Sequence, residues 1–316
     1  MPQQGKVLKS TGKWYDVVLE DGTQVKCRIR GRLRLDGLRT TNPVSVGDVV
    51  LLDNETDEEG TRMITGIEKR QNYIVRKSTN LSKQQQILAA NIDRAYLMVT
   101  IKSPETHLAF IDRFLVSAES FRIPVTLLFN KIDLFDETDQ EYADALSYMY
   151  ENIGYESRQI STKDPETIEF LREEIQGKQV MISGHSGVGK SSLINVLDPS
   201  LNLKTGEISK AHQQGQHTTT FAEMHAIQSG GYIIDTPGIR AFGVIDLDKE
   251  VMSHYFPEMR ERMHECKFNN CQHINEPKCA VKDALEAGDI YESRYSTYLQ
   301  LMEEDQEESY RKNDFA

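Results

Sequence analysis

The order of two loops is the feature that most constrains the fold of this chain. Residues 184–191 read Gly-His-Ser-Gly-Val-Gly-Lys-Ser and match the phosphate-binding pattern Gly-x-x-x-x-Gly-Lys-Ser. Residues 130–133 read Asn-Lys-Ile-Asp, the pattern of a guanine-selecting loop, and they lie upstream of the phosphate loop. The usual chain order of a guanine-nucleotide fold is the reverse. The two loops together therefore predict an α/β domain that is a circularly permuted P-loop GTPase.

The phosphate loop has the chemistry and the local context that the motif requires. Its glycines allow a tight turn in which backbone N–H groups point at phosphate oxygens, and the following helix adds the positive end of its dipole. Lys190 is expected to reach the β and γ phosphates, and the Ser191 hydroxyl is suited to bind Mg²⁺. An apolar strand at 179–183 precedes the loop, and a helix follows it. The alternative interpretation is a glycine-rich turn with a surface lysine. The predicted phosphate-binding residues are Gly184, His185, Ser186, Gly187, Val188, Gly189, Lys190, Ser191 and Ser192.

The base-selecting loop follows a buried strand at 124–129, at the carboxyl end where α/β sheets bind ligands. The Asp133 carboxylate can accept two hydrogen bonds from the N–H and NH₂ edge of guanine, and adenine offers no such pair. A second loop follows the strand at 157–160 and is expected to support the base. The predicted base-recognition residues are Asn130, Lys131, Ile132, Asp133, Ser161, Thr162 and Lys163.

Two further segments are expected to bind Mg²⁺ and to respond to the γ phosphate. The apolar strand at 232–235 ends in Asp235, which would hold Mg²⁺ through water, and the Gly238 amide would contact the γ phosphate. Residues 213–220 read Gln-Gln-Gly-Gln-His-Thr-Thr-Thr. One of these three threonines is expected to complete the Mg²⁺ shell, and Thr219 is taken as the candidate.

The residue after Gly238 bears on hydrolysis. It is Ile239, where Ras-like enzymes carry the glutamine that orients the attacking water. Another group must therefore orient the water, and His217 is the nearest candidate. The alternative interpretation is that His217 is an exposed loop histidine.

A second motif, near the C-terminus, predicts a structural zinc site. Cys266, Cys271, His273 and Cys279 supply three thiolates and one imidazole, a complete tetrahedral set that leaves no position for a catalytic water. No signal peptide is recognised before Lys6, so a reducing cytoplasm is expected and disulfides are disfavoured.

The N-terminal region predicts an oligonucleotide-binding (OB) type of β-barrel with one basic face. About five short strands fall in the first seventy residues, and one of them alternates basic and apolar side chains. The net charge of −12 argues against general coating of nucleic acid, so any RNA contact must come from such a local patch. The alternative interpretation is a solvated basic face without a ligand. The predicted RNA-binding residues are Lys26, Arg28, Arg30, Arg32 and Arg34, and Cys27 between them is expected to be a core thiol.

These patterns divide the chain into three predicted domains. They are the barrel at 1–72, the GTPase domain at 73–245 and a helical zinc-binding domain at 246–316, with a polar linker over 69–83. No apolar run is as long as a membrane span. We expect a monomer without a membrane partner.

Taken together, the motifs resemble those of the RsgA (YjeQ) family of bacterial circularly permuted GTPases. The resemblance spans the whole chain and rests on Gly-His-Ser-Gly-Val-Gly-Lys-Ser, Gly-Gln-His-Thr-Thr-Thr, Asp-Thr-Pro-Gly and the cysteine–histidine motif. It implies GTP hydrolysis that is stimulated by the small ribosomal subunit, acts in late maturation of that subunit and is coupled to release. It further implies that the barrel and the zinc domain bind ribosomal RNA and that His217 takes part in catalysis.

Two functions of other classes stay open at this point. One is an ATP-using phosphotransferase, against which Asp133 and the preceding Asn130-Lys131 argue. The other is an RNA-binding scaffold with GTP as a structural ligand, which Ile239 favours because intrinsic hydrolysis should be slow.

Overall fold

The N-terminal strands form a closed barrel. The computed structural model describes residues 3–29, 42–77, 85–203, 222–235 and 247–304, without the side chains at 75–77, 85, 86 and 235. The barrel strands follow the order β1-β2-β3-β5-β4, and β4 pairs back with β1 to close the ring. Only β3 and β5 are parallel neighbours. The strands are β1 (Gln3–Ser10), β2 (Tyr15–Leu19), β3 (Gln24–Ile29), β4 (Val49–Thr56) and β5 (Arg62–Ile67).

A two-stranded ribbon follows the barrel. Strand β6 (Tyr73–Lys77) pairs antiparallel with β7 (Gln85–Ala90). The predicted polar linker over 69–83 was therefore wrong for Tyr73–Lys77. The physical reason is that Ile74 is buried in the main core and that strand pairing satisfies the backbone groups.

The central sheet has the order β10-β9-β8-β11-β13-β12, in which only β12 is antiparallel to its neighbour. Every residue of β9 and β11 is buried, as expected for parallel strands covered on both faces. The phosphate-loop strand β11 lies next to β8, although Val180 pairs with Arg94 from a distant part of the chain. The strands are β8 (Arg94–Val99), β9 (Val125–Asn130), β10 (Glu156–Ile160), β11 (Gln179–Ser183), β12 (Glu223–Ala226) and β13 (Tyr232–Asp235).

Helices cover both faces of this sheet. Strand β8 sends Ala95, Leu97 and Val99 into one core and Tyr96 and Met98 into the other, as its period of two requires. The first core contains α1 and α2, and the second contains α3 and α4. A 3₁₀ turn at Pro165–Ile168 leads directly into α3. The helices are α1 (Leu108–Phe121), α2 (Glu137–Ile153), α3 (Glu169–Ile175) and α4 (Lys190–Leu197).

The barrel and the central sheet are parts of one continuous hydrogen-bonded sheet. Strand β1 pairs with the edge strand β12 through Lys9 and Glu223. The buried Gln179 side chain, at the start of β11, donates hydrogen bonds of 3.0–3.1 Å to the carbonyl oxygens of Gly47, Ala90 and Asn91. The barrel is thus attached directly beside the phosphate-loop strand.

The C-terminal region is helical, as predicted. Its helices are α5 (Pro257–Arg260), α6 (Ala280–Ala287) and α7 (Glu292–Glu303), with 3₁₀ turns at Lys249–Tyr255 and Met263–Glu265. Its core contains Phe256 and Tyr298, and Val116 of α1 packs into the same core. Among the described residues no helix is long and apolar enough to span a bilayer.

A buried ionic network joins this region to α1. The Arg294 side chain is fully buried and donates to Glu258 Oε1 at 2.7 Å and to Asp112 Oδ1 at 3.0 Å. Asp112 also accepts hydrogen bonds of 2.9 Å from Tyr150 and Thr297. Because a buried charge is costly unless it is paired and hydrogen-bonded, this network requires α7 and α1 to stay together.

We expect Arg294→Met to lower the free energy of unfolding by about 3–5 kcal/mol, because it leaves the buried Asp112 and Glu258 without their cation. Urea unfolding followed by circular dichroism measures this. Arg262→Met is the matched control, since its ion pair with Asp289 is partly exposed and should contribute less than about 1 kcal/mol. Equal losses in the two variants would contradict the assigned role of Arg294.

Candidate nucleotide and metal sites

The phosphate loop has the strand–loop–helix geometry that its sequence predicts. It leaves the end of β11, and Gly189 is the N-cap of α4 with a φ of 107°. A Cβ atom at Gly184 would lie 2.7 Å from the Met98 carbonyl oxygen, and one at Gly189 would lie 2.5 Å from Asn130 Nδ2. Both positions therefore require glycine for conformation and for space.

The chemical groups of the loop converge at its mouth. Lys190 Nζ donates to the carbonyl oxygens of Gly184 at 2.7 Å and His185 at 2.8 Å, so the ammonium lies across the loop. Ser191 and Ser192 follow in the first turn of α4 and are half-buried. The N-terminus of α4, a lysine and a serine hydroxyl form a site suited to a polyphosphate.

The base-selecting loop is hydrogen-bonded to the phosphate loop. The fully buried Asn130 donates from Nδ2 to the Val188 carbonyl oxygen at 2.7 Å. Lys131, in the left-handed region with a φ of 71°, donates from Nζ to the carbonyl oxygens of Gly187, at 2.8 Å, and Ser103. Two motifs that lie more than fifty residues apart in the chain therefore form one site.

Asp133, the carboxylate predicted to recognise guanine, lies in the loop that follows β9. It follows Ile132 in a 3₁₀ turn, and its two oxygens accept hydrogen bonds from Lys163 Nζ at 2.7 Å and Ser161 Oγ at 2.6 Å. The hydrogen bond from Lys163, and to a smaller extent that from Ser161, lowers the pKa of Asp133, so the carboxyl group is ionised at neutral pH. The predicted second loop, with half-buried Thr162 between its two donors, thus supports the base-recognition carboxylate.

Other predicted residues lie outside the described part of the chain. They are His217, Thr219 and Gly238, together with the side chain of Asp235. The backbone of Asp235 ends β13, which is the parallel neighbour of β11. The carboxyl end of β13 is therefore beside the phosphate loop, where a ligand to Mg²⁺ is needed.

One contributor was missed from the sequence, the loop at 100–107 between β8 and α1. It supplies the Ser103 carbonyl for Lys131, and a Cβ at Gly187 would lie 3.3 Å from Pro104 Cδ. Thr106 Oγ1 lies 2.6 Å from His185 Nε2. The available signal was its place directly after a central parallel strand, because the carboxyl ends of neighbouring strands meet at one edge of a sheet.

The four predicted metal ligands form one cluster. All ligand atoms of Cys266, Cys271, His273 and Cys279 lie within 4.8 Å of one another. Cys266 Sγ is 4.0 Å from Cys279 Sγ, and His273 Nδ1 is 3.6 and 3.3 Å from these two sulfurs. A tetrahedral ion with bonds of ~2.3 Å to sulfur and ~2.0 Å to nitrogen would separate its ligands by roughly 3.5–3.8 Å. The donor set and its spacing therefore fit a metal ion.

Helix α7 holds the cluster in place. Tyr295 and Tyr298 each donate a 2.6 Å hydrogen bond, to the carbonyl oxygens of His273 and Gln272. The Glu276 carboxylate accepts from three backbone N–H groups of the same loop. Burial lowers the pKa of His273, which favours the neutral imidazole that a metal ion needs.

The basic strand of the barrel is described only in part. Lys26 and Arg28 are exposed on β3, whereas Cys27 is fully buried, so the predicted alternation is confirmed for these positions. The Arg28 guanidinium lies over the Trp14 ring, 3.6 Å from its centroid. The rest of the predicted basic face lies outside the described residues, namely Arg30, Arg32 and Arg34.

Comparison with known proteins agrees with this geometry. The family model described as RsgA GTPase matches residues 67–245, and the RsgA N-terminal domain matches residues 4–61. The chain belongs to the RsgA GTPase family. It is 51% identical over 308 residues to the small ribosomal subunit biogenesis GTPase RsgA of Bacteroides fragilis, covering 98% of this chain and 99% of that protein. It is 52% identical to the protein of the same name from Christiangramia forsetii, covering 98% of each.

Solved structures of RsgA-family proteins show the same architecture. YjeQ from Thermotoga maritima is 34% identical and superposes with a TM-score of 0.78, covering 96% of this chain and 98% of that one. YloQ, a circularly permuted GTPase, is 31% identical with a TM-score of 0.74, covering 96% and 94%. This RsgA-family chain is therefore a circularly permuted GTPase, and the ATP-using phosphotransferase considered above is excluded.

We expect Asp133→Asn to weaken GDP binding by about two orders of magnitude, because hydrogen bonds to a charged group contribute about 1.5–3 kcal/mol each. Binding of xanthosine diphosphate should strengthen, since its carbonyl accepts from the new amide. Calorimetric titration of both nucleotides measures the change. Asp144→Asn, the same charge change on the exposed face of α2, is the control and should leave both affinities unaltered. Wild-type GDP affinity in Asp133→Asn would contradict the assignment.

Proposed function

We propose that this GTPase acts in the late maturation of the small ribosomal subunit and uses GTP hydrolysis to leave it. The names of its relatives support the partner, because proteins about 50% identical over nearly the whole chain are called small ribosomal subunit biogenesis GTPases. The observation that carries the enzymatic part is the junction of the two nucleotide loops, in which Asn130 and Lys131 bond to the backbone of the phosphate loop.

The proposed roles within the nucleotide site follow from this junction. Lys190 and the loop amides bind the phosphates, while Asp133, supported by Ser161 and Lys163, selects guanine. GTP brings Mg²⁺, with Ser191 and Thr219 as direct ligands and Asp235 as a ligand through water. The ion would neutralise charge that develops on the phosphates, and the Gly238 amide would contact the γ phosphate.

His217 is proposed as the group that orients the attacking water. The support comes from the sequence alone: Ile239 carries no polar group at the position where Ras-like enzymes have glutamine, and the loop containing His217 is Gly-Gln-His-Thr-Thr-Thr. Slow intrinsic turnover follows from Ile239, and acceleration by the ribosomal subunit is proposed from the family resemblance.

The metal at the cysteine–histidine cluster is proposed to be structural zinc. Three sulfurs and one imidazole nitrogen are a donor set that zinc prefers, and all four tetrahedral positions come from protein. The division into domains at 1–72, 73–245 and 246–316 is likewise proposed. It is supported by a barrel that ends at Ile67 and by helices that surround the cluster.

The barrel is proposed to contact ribosomal RNA through its basic strand. Lys26 and Arg28 offer exposed charge for phosphates, and Arg28 with Trp14 forms a flat cationic surface on which a base could stack. We also propose that the chain acts in the cytoplasm as a monomer without a membrane partner, consistent with a role on the ribosome.

Metal analysis of the purified chain should find about one zinc ion per molecule, as one four-ligand site requires. Cys271→Ala should lose the ion and lower the melting temperature of the C-terminal region, yet keep GDP affinity, because Val188 and Leu193 beside the nucleotide pack in a different core. Cys27→Ala is the matched control and should retain the zinc. Full zinc content in Cys271→Ala would refute the ligand assignment.

Adding purified small ribosomal subunits should raise the steady-state rate of GTP hydrolysis. His217→Ala should keep GTP affinity but lose most of that stimulation, since a positioned general acid–base or water-orienting group typically contributes ~10²–10⁴-fold. Phosphate release with and without subunits measures both effects. Hydrolysis that is unchanged by subunits would instead favour the scaffold interpretation.

Two variants separate RNA contact from chemistry in the same assay. Replacing Lys26 and Arg28 together by Gln should raise the subunit concentration needed for half-maximal stimulation and reduce its salt dependence, without changing turnover in the absence of subunits. Replacing the exposed Arg122 and Lys178 by Gln removes the same charge away from this strand and serves as the control. If both double variants behave alike, the basic strand has no specific role.

A further inference from the structure

The side chain of His185 makes contacts that the phosphate-binding motif does not require. Its backbone lies between Gly184 and Ser186 at the start of the loop, and its ring points away from the loop toward the segment at 100–107. There Nε2 lies 2.6 Å from Thr106 Oγ1, and the Phe110 ring packs edge-on at 5.8 Å with an interplanar angle of 85°.

The hydrogen bonds around His185 define one arrangement of protons. The Thr100 N–H donates to Thr106 Oγ1 at 3.0 Å, so the Thr106 hydroxyl proton is available to His185 Nε2. His185 Nδ1 lies 3.1 Å from the Ser186 carbonyl oxygen, which only accepts, so Nδ1 carries the hydrogen. In the neutral ring this leaves Nε2 as the acceptor for the Thr106 hydroxyl. Burial, with help from the nearby Lys190 and Lys131, lowers the pKa of His185 and agrees with this neutral form.

The phosphate loop needs such a contact to hold one conformation, because its glycines allow many backbone conformations. Gly184, Gly187 and Gly189 all have positive φ values, and glycine loses more conformational freedom on ordering than other residues. Asn130 and Lys131 hold the second half of the loop, at Val188 and Gly187. The first half, residues 184–186, is bonded by Lys190, which also serves the phosphates, and by the His185 ring.

We propose that His185 is a positioning residue, which fixes the first half of the phosphate loop by binding Thr106 at the start of α1. The anchor itself is rigid. Thr106 is buried, its N–H donates to the Thr100 carbonyl oxygen at 2.9 Å, and the first turns of α1 are held by the Asp112–Arg294 pair. The loop amides are thereby set in place before the phosphates arrive, which lowers the entropy lost on nucleotide binding.

The proposal rests on the assignment of this loop as the nucleotide site. The experiment below tests the role of His185 and that assignment separately. Binding of a fluorescent GDP analogue and of a non-hydrolysable GTP analogue is measured for the wild type and for His185→Ala. Loss of one positioning hydrogen bond should weaken both nucleotides by roughly three- to tenfold. In steady-state hydrolysis assays, the KM for GTP should change more than kcat, because the contact does not involve the reacting atoms.

Conservative and paired variants distinguish positioning from a general loss of stability. His185→Gln keeps an acceptor within reach of Thr106 and should restore affinity. Thr106→Val should weaken binding, and adding it to His185→Ala should cause little further loss, since both remove one contact. Ile111→Val trims a buried methylene from the same helix without touching the loop and should leave affinity unchanged.

Wild-type affinity for both nucleotides in His185→Ala would overturn the proposal while leaving the nucleotide site intact. Additive losses in the double variant would also overturn it. A wild-type chain that binds neither nucleotide would instead overturn the assignment of the loop itself.

Discussion

The hydrogen bond from the buried Asn130 amide to the Val188 carbonyl oxygen is the contact on which the nucleotide site depends. It connects the base-selecting loop to the phosphate loop, and Gly189 leaves no room for a Cβ beside that amide. The contact exists because β9, β8 and β11 are consecutive strands of a parallel sheet, whose carboxyl ends meet at one edge. Chain order has no influence on this meeting, so a permuted sequence can build the same site.

Circular permutation also changes what is attached to the nucleotide domain. Strand β1 of the barrel pairs with the edge strand β12, and the Gln179 amide binds three carbonyl oxygens at the foot of the phosphate-loop strand. The barrel is therefore part of the same hydrogen-bonded sheet as the nucleotide site. If the barrel binds RNA as proposed, strand pairing through β1 and β12 connects that surface to the sheet that contains β11.

The C-terminal region is attached through charge rather than through strand pairing. Arg294 of α7 is fully buried between Glu258 and Asp112. Tyr295, the next residue, and Tyr298, one turn further along α7, donate hydrogen bonds to the loop that carries His273. Breaking such a buried pair is costly, because it leaves an uncompensated charge in the interior. The cysteine–histidine cluster thus has a defined position relative to α1. Helix α1 in turn begins at the loop that contacts His185.

The sequence by itself determined the chemistry and most of the architecture. Glycine spacing, the acid of the base loop, the cysteine–histidine spacing and the period-two alternation around Cys27 each depend on local geometry, which short motifs encode directly. Tertiary structure decided what depends on contacts between distant residues. The ribbon strand Tyr73–Lys77 forms because Ile74 packs into the main core, the loop at 100–107 joins the site because β8 lies beside β11, and Arg294 finds Asp112 across 182 residues of chain. No local sequence pattern predicts these three contacts, because each forms only when the folded chain brings distant segments together.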